Sequence, residues 1–229
     1  MPEEPSSHGP DTRGDHLGFV AHEVRNPLST ALWSAELLAR MSAEERGGSR
    51  GDKLTAMCLR SLGRVRQLIE DHFLCERLDA RGIPVRSEPV PIRALLDEIA
   101  GRRFLDVADP ELVVPLDLAA YGDRVLLDRA LEGLLAVAGR EHAAVRVGAR
   151  QEGEWVVIEV AGAPLGENPL DDPRKGSPGD AKGRALALPL ARRIAAVLGG
   201  NLAVAGGGLV LSVPAAGARA DAPGAAAQR

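Results

Sequence analysis

Two long amphipathic segments constrain the fold of this chain more than any other feature. In each of them apolar residues recur at steps of three and four, which is the period of a helix with one buried face. The first set is Leu17, Val20, Val24, Leu28, Ala31, Ala35 and Leu38, and the second is Leu54, Cys58, Leu62, Val65, Ile69 and Phe73. The glycine-rich stretch Gly47–Gly51 separates the segments, and Pro84 follows the second as a stop signal. The pattern predicts a helical hairpin over residues 15–82.

A single hairpin of this kind leaves apolar surface in contact with water. Two hairpins related by a twofold axis bury both stripes in a four-helix bundle, which is a common solution for paired helices. We therefore expect a homodimer that is held together through residues 15–82.

The pattern changes after Val85, where short helical and strand-like segments follow one another. Helices are predicted at Ile92–Arg102, Asp123–Gly139 and Leu186–Leu198, and strands at Val113–Leu118, Ala144–Arg150, Trp155–Val160, Asn201–Val204 and Leu209–Val213, with a long loop at Ala163–Gly183. Helices beside a mostly antiparallel sheet predict an α+β sandwich over residues 83–214. Residues 1–14 and 215–229, which are rich in Pro, Gly, Ser or Ala, are expected to be disordered tails.

Composition excludes several classes of function. The net charge of −4 provides no basic surface for nucleic acid and no polybasic strip for a membrane. No apolar run reaches the roughly 18 residues that a membrane span requires. Cys58 and Cys75 fall in one predicted helix about 25 Å apart, which is too far for a disulfide. These observations predict a cytoplasmic protein.

The segment from Gly18 to Leu28 contains the strongest candidate site. His22 lies off the apolar stripe, so its imidazole is expected to face solvent and to act as a nucleophile toward phosphorus. Glu23 can accept a hydrogen bond from one ring nitrogen and so favour the reactive tautomer. Asn26 lies at i+4 from His22 on the same helical face, and Pro27 is expected to kink or loosen the helix beneath the site. No spacing typical of a metal site occurs among the His, Cys and acidic residues.

The run His-Glu-x-x-Asn-Pro-Leu resembles the phosphoacceptor box of two-component sensor histidine kinases. The resemblance implies that His22 carries a phosphoryl group, with Glu23 and Asn26 beside it. It also implies that response-regulator receiver domains are the partners. Glu-x-x-Asn beside the histidine is similar to the phosphatase signature of these bundles.

The order of elements over residues 88–214 resembles the ATP-binding domain of the same family, with its ligand residues replaced. The family helix carries two asparagines, the second of which holds magnesium, where this chain has Gly133 and Val137. The family turn Asp-x-Gly-x-Gly, whose aspartate pairs with adenine, corresponds to Ala161, Ala163 and Leu165.

The family sequence Gly-x-Gly-Leu, whose amides meet the phosphates, corresponds here to Ala185 and Ala187. These replacements predict that no nucleotide cofactor is bound, although Asp128 or Glu132 could in principle hold magnesium.

The leading hypothesis is a histidine phosphotransferase, similar to those derived from kinases, which exchanges phosphate between His22 and receiver aspartates. The receiver would supply the magnesium, and catalysis would consist mainly of in-line positioning. One alternative is an ATP-dependent soluble histidine kinase. Another is a non-catalytic pseudokinase or phosphatase that regulates a response regulator.

Overall fold

The structure is a computed structural model that describes residues 12–80, 82–102, 109–140, 143–166, 168–171 and 186–217, with side chains from residue 18 onward. The N-terminal region is helical. Its elements are α1 (Thr12–Arg40), α2 (Ala43–Arg46) and α3 (Ser49–Asp79). The two long predicted helices are therefore present, and α1 begins inside the segment that was predicted to be a tail, whose residues 1–11 lie outside the described part.

A one-turn helix connects the two long helices. Ser42 caps α2 because its hydroxyl accepts a hydrogen bond from the amide of Glu45, while the Glu45 carboxylate accepts one from the amide of Ser42. Hydrogen bonding of the Glu45 carboxylate to the backbone amide of Ser42, and then to the Ser42 side chain, lowers the pKa of Glu45. α1 thus ends before the predicted glycine stretch, Gly47 and Gly48 lie between α2 and α3 as predicted, and Gly51 lies in the first turn of α3.

The C-terminal region is an α+β domain, as predicted. It contains the helices α4 (Ile92–Ala100), α5 (Arg124–Ala138) and α6 (Ala187–Val197) and the strands β1 (Glu88–Pro91), β2 (Glu111–Val113), β3 (Ala119–Gly122), β4 (Arg146–Glu152), β5 (Trp155–Ala161), β6 (Asn201–Ala205) and β7 (Gly208–Pro214). Five strands form one sheet in the order β2-β4-β5-β7-β6, in which only β2 and β4 are parallel, and β1 pairs with β3 in a separate ribbon.

The region around β2 and β3 corrects the sequence prediction. A strand was expected over Val113–Leu118, but β2 ends at Val113 and a turn follows at residues 116–117 before β3. Pro115 has no N–H to donate to a continuing ladder, which explains the interruption. β1 was missed because two of its four residues are prolines, which sequence patterns associate with loops.

The core of the α+β domain lies between the sheet and the helices. Alternate residues of β5, namely Val156, Ile158 and Val160, are buried and belong to the same cluster as Leu131 and Leu134 of α5. Asp123 caps α5 by accepting hydrogen bonds from the amides of the first turn. This packing places α5, α6 and the end of β5 together, where the sequence predicts the replaced ligand positions.

The division between the two compact units falls inside α3, between Phe73 and Leu74. The predicted boundary at residues 82 and 83 was placed where the helix was expected to end. The last helical turn packs with the C-terminal unit, because Cys75 and Leu78 are buried in its core, and the predicted boundary stays a prediction. Ala215, predicted to be in the tail, is also fully buried and donates to the carbonyl of Glu154. The remainder of that tail, from residue 218, lies outside the described part.

Candidate phosphoacceptor site and replaced nucleotide site

The buried face of α1 differs from the predicted stripe. Phe19, Glu23, Ala31 and Ser34 are buried, while Leu28 of the predicted stripe is 49% exposed. Phe19 and Glu23 each lie one position before a residue of the apolar stripe, Val20 and Val24. Part of the apolar stripe therefore stays exposed in a single chain. Glu23 is thus one of the buried residues of α1.

His22 is half-buried and directly adjoins the buried carboxylate of Glu23. The exposed fraction of the His22 side chain is 43% and that of Glu23 is 3%. The distance from His22 Nδ1 to Glu23 Oε1 is 3.3 Å. When Nδ1 carries the proton it donates to this oxygen, and Nε2 keeps the lone pair that a nucleophile needs. The pair thus orients the imidazole and leaves one ring nitrogen for chemistry.

Asn26 and Pro27 follow within one turn. Asn26 is exposed, and its carbonyl accepts a hydrogen bond of 3.1 Å from the Thr30 hydroxyl. α1 continues through Pro27 as one helix to Arg40, so proline does not end it. Because Pro27 has no N–H, one rung of the helical hydrogen-bond ladder is absent at this turn. His22, Glu23 and Asn26 lie together near the middle of α1, and their catalytic roles stay predictions.

The positions at which the resemblance places nucleotide ligands lie on α5, at the start of α6 and at the end of β5 in the C-terminal unit. Gly133 and Val137 are buried on α5, and a Cβ added at Gly133 would lie 3.4 Å from the Cβ of Ala187, the first residue of α6. Ala161 is exposed at the end of β5, and Ala163 is buried in the loop that follows. Ala185 lies outside the described residues.

At the positions where the resemblance places asparagines, Gly133 and Val137 of α5 offer no side-chain oxygen to a hard divalent cation. Val137 has only an apolar side chain and is 1% exposed. Asp128 and Glu132, which could in principle hold magnesium, are engaged by arginines instead. Arg102 donates to Asp128 at 2.9 Å and lies 3.7 Å from Glu132, which Arg129 also contacts.

The arginine contacts have an electrostatic consequence. The hydrogen bond that Arg102 donates to Asp128, together with the nearby charges of Asp128 and Glu132, outweighs partial desolvation and raises the pKa of Arg102 above its ordinary value. The guanidinium therefore stays charged and neutralises both carboxylates. Asp128 and Glu132 are thus held by arginines rather than open to a divalent cation. Asp128 and Glu132 can be read directly from the sequence. Only the fold shows that Arg102, which follows α4, contacts both of them.

Among the described residues, no cluster of three or more His, Cys, Asp or Glu side chains is arranged to hold a metal ion. Within the same part of the chain, no helix combines the length and the apolar character that crossing a membrane requires.

The chain combines a helical region that contains His22 with an α+β domain. Residues 12–81 match the His Kinase A (phospho-acceptor) domain. The whole fold is similar to histidine kinase AdeS of Acinetobacter baumannii, with a TM-score of 0.59, 16% identity and coverage of 85% of this chain and 96% of that one.

It is also similar to full-length ShkA in complex with AMPPNP, with a TM-score of 0.51 and 21% identity over 87% of this chain and 45% of that one. The helical region therefore matches the phospho-acceptor domain of histidine kinases, and the fold of the chain is similar to that of solved histidine kinases.

Proposed function

We propose that the chain is a histidine phosphotransferase that takes a phosphoryl group from the aspartate of one response-regulator receiver domain and passes it to another. The observation that carries the proposal is the His22–Glu23 pair, in which a half-exposed imidazole is held at 3.3 Å by a buried carboxylate. An accessible, oriented nitrogen is what an in-line displacement at phosphorus needs.

The proposed step is an in-line transfer of the phosphoryl group from the receiver aspartate to His22. Nε2 of His22 forms a bond to phosphorus while the bond from phosphorus to the receiver's aspartate oxygen breaks, and the electron pair stays on the leaving carboxylate. The Nδ1 proton remains on the ring and is shared with Glu23, whose negative charge stabilises the imidazolium that forms. The receiver contributes its own aspartate and magnesium. Return of the phosphoryl group to a second receiver is the same step in reverse.

The second domain supports transfer over ATP-dependent phosphorylation. Kinase activity requires bound magnesium and nucleotide, and the described ligand positions are Gly133, Val137, Ala161, Ala163 and Ala187, none of which carries a polar side chain. ShkA was solved with the nucleotide analogue AMPPNP. The similarity of this chain to ShkA is a similarity of fold. It does not imply that this chain has the side chains that contact a nucleotide.

A direct test uses the full chain, a receiver domain phosphorylated with acetyl phosphate and then freed of the donor, and no ATP. We expect acid-labile phosphate to accumulate on the chain and to pass to a second, unphosphorylated receiver. Label that arises only with added ATP would instead identify a kinase. Loss of phosphate from the receiver without label on the chain would identify a phosphatase, and no exchange at all would leave a docking pseudokinase.

Glu23 is proposed to be the positioning residue for His22. Glu23→Gln is expected to slow transfer by about 10²–10⁴-fold without abolishing it, because one oriented acid–base group contributes roughly that much. The glutamine is nearly isosteric, so the buried site stays filled. The measurement is the single-turnover transfer rate as a function of pH. A purely structural role would leave the shape of the pH profile unchanged, and Glu36→Gln, at an exposed position of the same helix, is the matched control.

A further inference from the structure

The five-stranded sheet of the α+β domain has a second face, which points away from the buried core. Val156 and Ile158 of β5 belong to the core, so the alternating residues Trp155 and Val157 lie on the opposite face. The exposed fraction of Trp155 is 42%, although tryptophan is on average a well-buried residue, whereas Val157 is only 7% exposed. An exposed indole beside a covered valine indicates a concave surface with Trp155 at its rim.

A groove of about 300 Å³ lies on this side of the sheet, and we call it the outer-face groove. It is bordered by Glu152 of β4, by Trp155 and Val157 of β5, by Ser212 of β7 and by residues 199–201, which lead from α6 into β6. This connection lies close against β7 because Gly200 has no side chain, since a Cβ there would lie 2.0 Å from the carbonyl oxygen of Ser212. The outer-face groove therefore combines an indole with a carboxylate, a hydroxyl and the amide of Asn201.

The charged side chains beside the outer-face groove carry an excess of negative charge. Arg150 of β4 donates to Glu152 at 2.6 Å and to Glu159 at 2.7 Å, so one guanidinium is shared by two carboxylates. Glu154, in the turn that precedes Trp155, is exposed and adds a further negative charge. A carboxylate can accept hydrogen bonds through both of its oxygens, and the face of an indole attracts a cation. The groove therefore suits a cationic side chain.

The C-terminal end of the described chain lies beside the rim of this groove. Pro214 of β7 pairs with Trp155, and the amide of Ala215 donates to the carbonyl of Glu154 at 2.8 Å. A turn follows at residues 216–217. A reversal of the chain at a two-residue turn brings residue 219 level with Pro214, and so with Trp155.

The sequence that follows this turn contains the charge that the groove lacks. Residues 218–229 contain two arginines, Arg219 and Arg229, and a single acidic residue, Asp221. Twelve residues span up to about 40 Å when they are fully extended. The segment is therefore long enough to fold back over the groove, and its first arginine stands two positions after the turn.

We propose that the outer-face groove is an intramolecular docking site for residues 218–229, with Arg219 as the anchor. The guanidinium of Arg219 would stack on the indole of Trp155 and donate a hydrogen bond to the carboxylate of Glu152. This arrangement combines a cation–π contact with a charge-assisted hydrogen bond. Docking would cover the exposed indole and the floor of the groove. The proposal goes beyond the phosphotransferase function and does not depend on it.

The test uses the fluorescence of Trp155 in full-length protein that carries Trp33→Phe, so that one of the two tryptophans remains. Quenching by acrylamide measures how accessible this indole is to solvent. Arg219→Glu is expected to raise the quenching constant roughly twofold, because the cation–π contact is lost and the nearby carboxylates repel the new charge. Arg219→Lys keeps the cation and should stay closer to the parent protein. Arg192→Glu, at an exposed position of α6, is the matched control and should leave the quenching constant unchanged.

A second measurement removes the segment. A chain that ends at Gly217 keeps every described element, and its Trp155 should be quenched as readily as that of Arg219→Glu. Equal quenching of the parent protein, Arg219→Glu and the shortened chain would overturn the proposal, because residues 218–229 would then not cover the indole. Protection that increases with protein concentration would also overturn it, since a second copy would then supply the contact. None of these measurements involves phosphoryl transfer, so their outcome is independent of the receiver experiment.

Discussion

Replacing His22 with glutamine is expected to abolish phosphoryl transfer completely while leaving the fold intact. The amide of glutamine has no nucleophilic nitrogen, so no alternative route to a phosphorus–nitrogen bond exists at this position. The side chain is 43% exposed, and substitutions at such positions typically change stability by no more than about 0.5 kcal/mol. The substitution should therefore abolish phosphoryl transfer without changing the stability of the fold.

The measurement compares label on the parent protein, His22→Gln and His16→Gln after incubation with a phosphorylated receiver. His16 is on the same helix, six positions earlier, and is the matched control for a histidine-to-glutamine change. Receiver binding should persist in all three proteins. Label on the His22→Gln protein would disprove the phosphohistidine hypothesis, and relay between two receivers by that variant would favour a docking role.

Introducing a charge at Leu62 is expected to destroy the proposed homodimer. Large apolar side chains remain exposed on the helical region of a single chain: Leu28, Leu32, Trp33, Leu59, Leu62, Ile69 and Phe73. An apolar surface of this extent on two helices is typical of an interface. Leu62 is 45% exposed in one chain, so aspartate there costs that chain little, but in a bundle it would bury an unpaired carboxylate at a cost of several kcal/mol.

Light scattering at micromolar concentration checks this prediction. The parent protein should have twice the chain mass of 24.1 kDa, whereas Leu62→Asp should dissociate or lose the helical region while the α+β domain still melts as in the parent. Arg60→Asp, which lies roughly on the opposite side of α3, should remain dimeric. A parent protein that is monomeric under these conditions would rule the dimer out.

Sequence alone was sufficient for the long helices, the order of most elements and the fold class. The spacing of apolar residues, every 3.6 residues in a helix and every second residue in a strand, depends only on which side chains avoid water. It can therefore be recognised without knowledge of tertiary contacts. Caps also act locally: Ser42 with Glu45, and Asp123 before α5, could both be found from neighbouring residues. The candidate site could also be predicted from sequence, because His22, Glu23 and Asn26 are close together along one helix.

Tertiary structure was needed wherever a residue's role depends on a distant partner. Periodicity could not show that Glu23 is buried, since the covered face of α1 is set by packing and differs from its most apolar stripe. Likewise β1 exists because β3 is available to pair with it, against the local preference of its two prolines.

The resemblance predicts replaced nucleotide ligands at Gly133 and Val137 of α5, and only the fold shows which residues surround them. Gly133 meets Ala187, and Arg102 meets Asp128, through contacts between residues far apart in the chain. The physical reason is the same in each case: burial, close approach and ion pairing are properties of pairs of residues, and the pairs are formed only when the elements pack.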